Sequence, residues 1–153
     1  MALTVGTQAP DFSLLDTKKE SVSLSSFRGK KTVLVFFPAA FTGVCKNELC
    51  TFRDQMNRFN DVGANVLAIS ADLPFANGAF VEQNELNFPV LSDWSLKTIR
   101  DYGIAFDNFA GIEGLVRSHR AVFVVDGEGV IQYVEVTDNP GVEPNYDALI
   151  QAL

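Results

Sequence analysis

The chain has 153 residues, 47% of them apolar and 20% charged, the proportions of an ordinary globular protein. At this length a single domain spanning residues 1–153 is expected, able to bury roughly two-thirds of its unfolded surface without disulfides or metal. Nineteen acidic against twelve basic side chains give a formal net charge of −7, which argues against a nucleic-acid partner, and no apolar run approaches the ~20 residues of a membrane span.

The chain opens with MALTVGTQAPDF, which has no basic region followed by an apolar stretch; a cytoplasmic protein is therefore expected. The segments around Phe12–Leu14 and Val22–Leu24 have the pattern of a small N-terminal hairpin. Residues 32–37 (TVLVFF) form a continuous apolar, β-rich run, the pattern of a strand buried on both faces. From Thr42 to about Phe59, Val44, Leu49, Phe52, Met56 and Phe59 recur near the three-and-four spacing of an amphipathic helix, with Thr42 as its N-cap. A second buried strand is expected at 66–69 and a helix from Phe75 to Asn84. A short helix is expected from Ser95 to about Tyr102. Strands at 121–125 and 130–136 flank Asp126-Gly127-Glu128-Gly129, a hairpin turn, and the last helix runs from Asn145 to Leu153. Strands alternating with helices predict a layered α/β domain; on pattern alone, thioredoxin-like and flavodoxin-like sheets both fit.

Chemistry concentrates where the first buried strand gives way to the first long helix, Pro38-Ala39-Ala40-Phe41-Thr42-Gly43-Val44-Cys45-Lys46-Asn47-Glu48-Leu49-Cys50. A cysteine in a first helical turn faces unpaired backbone N–H groups and the positive end of the helix dipole, which stabilise a thiolate. Against this stands the ordinary role of a cysteine as a small buried apolar side chain. Spacing alone leaves the two readings level. Lys46 is adjacent in sequence but does not face Cys45 on a helix. The single histidine, His119, weighs against a metal site or a Cys–His hydrolase, and no glycine-rich nucleotide motif is present, so no cofactor is expected.

Pro38, Thr42 and Cys45 spell P-x-x-x-T-x-x-C, and further stretches keep the same order: Ala9-Pro10-Asp11-Phe12, Phe27-Arg28-Gly29-Lys30, Phe88-Pro89-Val90-Leu91-Ser92-Asp93 and Arg120-Ala121-Val122-Phe123-Val124-Val125-Asp126. Together they resemble the peroxiredoxin family from about residue 3 to the end. The loop Phe37–Cys45 is similar to that of the AhpE group. The second cysteine, in C-x-x-x-x-C, is similar to that of the PrxQ branch, the bacterioferritin comigratory proteins.

The resemblance implies a thioredoxin-like fold with an N-terminal β-hairpin extension. It also implies a thiol peroxidase for hydrogen peroxide or organic hydroperoxides, with Cys45 as nucleophile and Pro38, Thr42 and Arg120 completing the catalytic set. Thr42 is expected to donate to the sulfur or a bound oxygen, Arg120 to favour the thiolate and the leaving oxygen, and Glu48 to orient the arginine. Pro38 is expected to shape the loop. Phe41 is expected at a pocket wall or dimer contact, and Trp94 in packing or the substrate pocket. Arg117 competes with Arg120, but the motif register favours the latter. Cys50 is implied as the residue that resolves the sulfenic acid of Cys45, with thioredoxin or a glutaredoxin-like protein as reductant. Helix geometry complicates this, since residues five apart lie ~8–9 Å apart whereas a disulfide needs Cα atoms within ~7 Å. A one-cysteine enzyme, in which Cys50 does not resolve, therefore stays open. Two other functions also compete: a disulfide oxidoreductase, which normally uses C-x-x-C, and a non-catalytic interaction module. Homodimers are common among relatives and monomers occur in PrxQ, so the resemblance leaves the oligomeric state open.

Overall fold

The computed structural model describes all 153 residues. Its centre is β3 (Thr32–Phe36), in which every residue is buried. It pairs in parallel with β4 (Asn65–Ser70) and antiparallel with β8 (Arg120–Val125), so that Val35 lies beside Ala68 on one side and Val122 on the other. Beyond β4 come β5 (Val90–Ser92) and then the N-terminal hairpin of β1 (Ser13–Leu15) and β2 (Ser21–Ser23); beyond β8 comes β9 (Ile131–Thr137). The seven-stranded order is β2-β1-β5-β4-β3-β8-β9. A flavodoxin-like sheet would be parallel throughout. Here β8 runs antiparallel to both of its neighbours, β3 and β9, and the sheet is thioredoxin-like with a hairpin added at one edge.

Alternation along the central strands divides the core in two. Val33, Val35, Phe37, Val66, Ala68, Val122 and Val124 point to one face, where they meet Leu49, Phe52, Phe59, Phe80 and Leu149 from the helices. Leu34, Phe36, Leu67, Ile69, Ala121, Phe123 and Val125 point to the other, against Phe12, Leu24, Ile99, Tyr102 and Ile104. The near-continuous apolar runs of β3 and β8 follow from having both faces covered.

The helices are α1 (Gly43–Asp54), α2 (Met56–Asp61), α3 (Pro74–Asn84), α4 (Lys97–Asp101) and α5 (Tyr146–Gln151). The single helix expected from Thr42 to Phe59 is broken at Gln55, whose backbone (φ −102°, ψ 8°) leaves the helical region. Phe59 nonetheless stacks on Phe52 with ring centroids 5.6 Å apart, so the break preserves the apolar contact that the periodicity encodes. Local chemistry fixes the other helix starts: Pro74 opens α3, the Asn145 side chain accepts from the Ala148 N–H at 3.0 Å in α5, and the buried Asp93 carboxylate accepts from Thr98 and Ile99 in α4. A separate two-stranded ladder, β6 (Ala105–Phe106) with β7 (Arg117–Ser118), pairs Phe106 with Arg117 just before β8 begins. Its sequence shows no strand periodicity long enough to predict it.

Candidate active site

The site lies at the carboxyl ends of β3 and β4, the edge where open α/β sheets place their ligands. Phe37 and Pro38, buried, carry the chain out of β3 into Ala39-Ala40-Phe41-Thr42, and α1 begins at Gly43. Thr42 is extended (φ −93°, ψ 147°), as an N-cap should be, but its hydroxyl makes no cap bond. It donates instead to the Ala39 carbonyl at 2.9 Å. The structure therefore differs from the expectation that Thr42 donates to the sulfur: with its hydrogen engaged in the loop, the hydroxyl offers only lone pairs to an incoming molecule. The N–H groups of Gly43, Val44 and Cys45 have no intrahelical acceptor by position and no side chain caps them.

Cys45 occupies the third position of α1 and is fully buried. The Arg120 guanidinium, from the first residue of β8, reaches it with Nη1 3.3 Å from Sγ. The same Nη1 donates to Glu48 Oε1 at 2.8 Å, while Nε and Nη2 donate to the Pro140 carbonyl at 3.2 and 2.7 Å. Arginine's planar fork suits this role, since it can serve several acceptors from one fixed plane. The i to i+3 spacing puts Cys45 and Glu48 on one side of α1, so one guanidinium serves both. Glu48 is completely buried, and its Oε2 has no hydrogen-bond partner. Burial pushes its pKa up to about 7; Arg120 pulls against this, and the carboxylates of Glu143 and Glu135 add to the rise.

A second arginine serves the loop that precedes α1. Arg117, on β7, donates from Nε to the Pro38 carbonyl at 2.8 Å and from Nη2 to the Asp72 carboxylate. Asp72 stands two residues past the end of β4 and accepts from the Ala40 N–H at 2.8 Å and the Ser70 hydroxyl at 2.9 Å. Directly after Ala40 comes Phe41 with φ 65°, a left-handed backbone that costs a non-glycine residue about 1–3 kcal/mol and persists only where its surroundings enforce it. Its half-exposed ring packs edge-on to Phe80, with centroids 5.3 Å apart. Sequence reasoning missed Asp72 and Pro140 and set Arg117 aside in favour of Arg120. The available signal for Asp72 was its place at the carboxyl end of a buried strand parallel to the one that delivers Pro38.

Pro38, Thr42, Cys45, Glu48 and Arg120 are thus gathered around one loop and one helix turn. Two others stand apart. Cys50 is on the same unbroken helix but turns toward α3, with Sγ 3.8 Å from Asn84 Oδ1; both cysteines are free thiols. Trp94 is half-exposed and lines a recess with Ser13, Leu14, Leu15, Ser21 and Ser92 at the hairpin edge of the sheet, away from the sulfur. Chemically, the gathered set can hold negative charge on a sulfur and on an oxygen brought against it, using a guanidinium and free backbone donors in a water-poor setting.

Comparison with known proteins agrees. The profile of the AhpC/TSA family matches residues 5–134. The chain is 41% identical to alkyl hydroperoxide reductase E of Mycobacterium tuberculosis over 137 residues, 88% of this chain and 86% of the relative. It is 36% identical over 154 residues to the putative peroxiredoxin bcp of Haemophilus influenzae, 99% of this chain and 96% of that one. It also matches the chloroplastic peroxiredoxin Q of Triticum aestivum at 37% identity, over 57% of that longer relative. Among solved structures, peroxidoxin BcpB of Mycobacterium tuberculosis superposes with a TM-score of 0.85 at 26% identity, covering 97% of this chain and 94% of the other. A peroxiredoxin-like protein from Aquifex aeolicus reaches 0.87 at 28% identity, covering 99% and 86%. With a cysteine set against an arginine at the mouth of a thioredoxin-like sheet, and relatives of this kind along its whole length, the chain belongs to the AhpC/TSA family of peroxiredoxins and is a thiol-dependent peroxidase.

Proposed function

We propose that Cys45 is the nucleophile, with Arg120, Thr42, Pro38 and the amides at the start of α1 as its catalytic surroundings. The Arg120 Nη1 to Cys45 Sγ contact of 3.3 Å carries the reading. The thiolate attacks the terminal oxygen of a hydroperoxide. An S–O bond forms as the O–O bond breaks, and the departing alkoxide or hydroxide takes a proton to leave as alcohol or water. Cysteine sulfur is oxidised to sulfenic acid and the peroxide is reduced. Arg120 is the donor suited to the charge that grows on the leaving oxygen. Thr42, with its own hydrogen engaged by Ala39, is placed to accept from the peroxide O–H and so present the correct oxygen.

In the second step the Cys50 thiolate attacks the sulfenic sulfur and displaces hydroxide, which leaves as water, giving a Cys45–Cys50 disulfide. Two electrons from an external dithiol, thioredoxin or a glutaredoxin-like protein, then restore both thiols. This supply places the protein in a reducing compartment such as the cytoplasm, where it works as a monomer or homodimer. The half-exposed Phe41 ring beside the loop suits the wall of the peroxide entrance or a dimer contact. Stopped-flow measurement of peroxide consumption tests the assignment of Cys45. Cys45→Ser should abolish turnover, and turnover that survives it would remove Cys45 from the mechanism.

A further inference from the structure

We propose that Asp72 and Arg117 form a positioning clamp that sets the shape of the active loop, and with it the reactivity of the site toward peroxide. The inference rests on the assignment of Cys45 as nucleophile and adds residues that never touch the sulfur. Three successive groups of the loop are fixed from outside it or by it. Arg117 Nε donates to the Pro38 carbonyl, Thr42 Oγ1 donates to the Ala39 carbonyl, and the Ala40 N–H donates to Asp72 Oδ2. The two outer bonds come from elements far away in sequence, the end of β4 and the β7 strand, and the Arg117–Asp72 ion pair ties these to each other.

The pair is more than a surface contact. Its side chains are only 15% and 16% exposed, and Asp72 is held in turn by the Ser70 hydroxyl, whose oxygen lies 3.1 Å from the buried Asn77 Oδ1. The bond to Ala40 is one residue from Phe41, whose left-handed backbone must be enforced, and Thr42 follows directly. Without the clamp, Phe41 can relax to an ordinary φ, which turns the next peptide and moves the Thr42 hydroxyl relative to Cys45. Arg120 and Glu48, reaching Cys45 from β8 and from within α1, do not depend on this loop. The clamp thus governs where the peroxide is held, while Arg120 governs the sulfur.

That division gives a test that a merely structural role would not pass. Asp72→Asn and Arg117→Ala should each lower the second-order rate constant for hydrogen peroxide about 100-fold, the scale of a ~1 Å misplacement of a reacting group. Alkylation of Cys45 by iodoacetamide, which needs no peroxide pocket, should change less than about threefold in a Cys50→Ser background. The double variant should lose little more than either single one, because the two residues act as a unit. Arg117→Lys keeps the charge for Asp72 but has no fork to serve Pro38 as well, and should fall between wild type and Arg117→Ala. Peroxide rates within about threefold of wild type in both single variants overturn the clamp. So does an equal loss in the peroxide and iodoacetamide reactions, including in the mild Arg117→Lys variant. A wild-type protein that does not react with peroxide at Cys45 would instead overturn the reading beneath it.

Discussion

Removing Arg120 should damage stability and activity by separable routes, and pH tells them apart. Glu48, with its carboxyl pushed by burial from an ordinary 4.5 to about 7, binds its proton more tightly in the folded protein than in the unfolded chain. Its contribution to stability is therefore fully present below about pH 4.5 and is lost as pH rises to about 7; the shift corresponds to about 3 kcal/mol. Arg120→Met removes the one cation that offsets the burial, so the carboxyl rises further and the loss extends to higher pH. At pH 5 Glu48 is neutral with or without its partner, and the substitution costs mainly packing. At pH 8 the wild-type carboxyl is ionised against Arg120 while the variant's must keep its proton, so the deficit grows by about 1 kcal/mol over the one pH unit above about 7, or roughly 2–4 °C in Tm for a chain of this size. Differential scanning calorimetry of wild type, Arg120→Met, Glu48→Gln and the double variant between pH 5 and 8 measures this. The Arg120→Met deficit should widen with pH, and the double variant should recover most of it relative to Glu48→Gln. Peroxide reactivity should not recover: it should stay about 10²–10³-fold down, since the donor to the leaving oxygen is gone in both. A deficit that is the same at every pH, or a double variant as unstable as the single one, would refute the reasoning.

Four further outcomes are expected. One equivalent of peroxide should yield an intramolecular Cys45–Cys50 disulfide by mass spectrometry together with a loss of helical circular dichroism. A lasting sulfenic or sulfinic acid on Cys45 with unchanged dichroism would make this a one-cysteine enzyme. Leu49→Ala, at a fully buried position between the two cysteines, should lower stability by about 2–5 kcal/mol yet speed disulfide closure in rapid-quench experiments. Phe80→Ala, which removes the ring that contacts both Phe37 and Phe41, should cost about 3–5 kcal/mol in urea denaturation. Gly103→Ala should lower Tm, because φ is +71° there and the new Cβ would collide with the Met1 carbonyl oxygen; the backbone part alone is about 1–2 kcal/mol.

The central sheet was legible because burial on both faces writes itself as unbroken runs such as TVLVF and RAVFVV. Which way neighbouring strands run has no such signature, so thioredoxin-like and flavodoxin-like arrangements separated only by resemblance and then by the antiparallel pairing of β3 with β8. The break at Gln55 escaped because Phe52 and Phe59 keep helical spacing across it. The three residues of β5 are too few for a period to show, though they lie within the family-like stretch Phe88–Asp93. In the site, Cys45, Thr42 and Pro38 could be found because they are close in the chain. The Asp72–Arg117 pair spans 45 residues, and a contact of that kind exists only once β4 and β7 have been placed. Arg117 and Arg120 looked like rivals in sequence; in space one holds the loop at Pro38 and the other the first turns of α1 at Cys45 and Glu48.

The first turns of α1 are asked to do two things that conflict. Intact, they keep Cys45 buried and place Glu48 where it shares Arg120 with the sulfur. On the proposed route Cys50 reaches the oxidised sulfur only if the helix opens between them, which withdraws Leu49 from the core and breaks the Glu48–Arg120 contact. Oxidation itself tilts this balance. A thiolate attracts Arg120 as a charge, whereas a neutral sulfenic acid offers only a hydrogen bond, so the interaction that locks the turn weakens when opening becomes useful. The raised carboxyl of Glu48 acts in the same direction. With its carboxyl pushed up to about 7 by burial, Glu48 can hold a proton up to near-neutral pH, so a second contact to Arg120 can also lose its charge without leaving a bare carboxylate in the core. On the proposed route the turn is firm while Cys45 faces Arg120 as a thiolate, and free to unwind once the peroxide has been reduced.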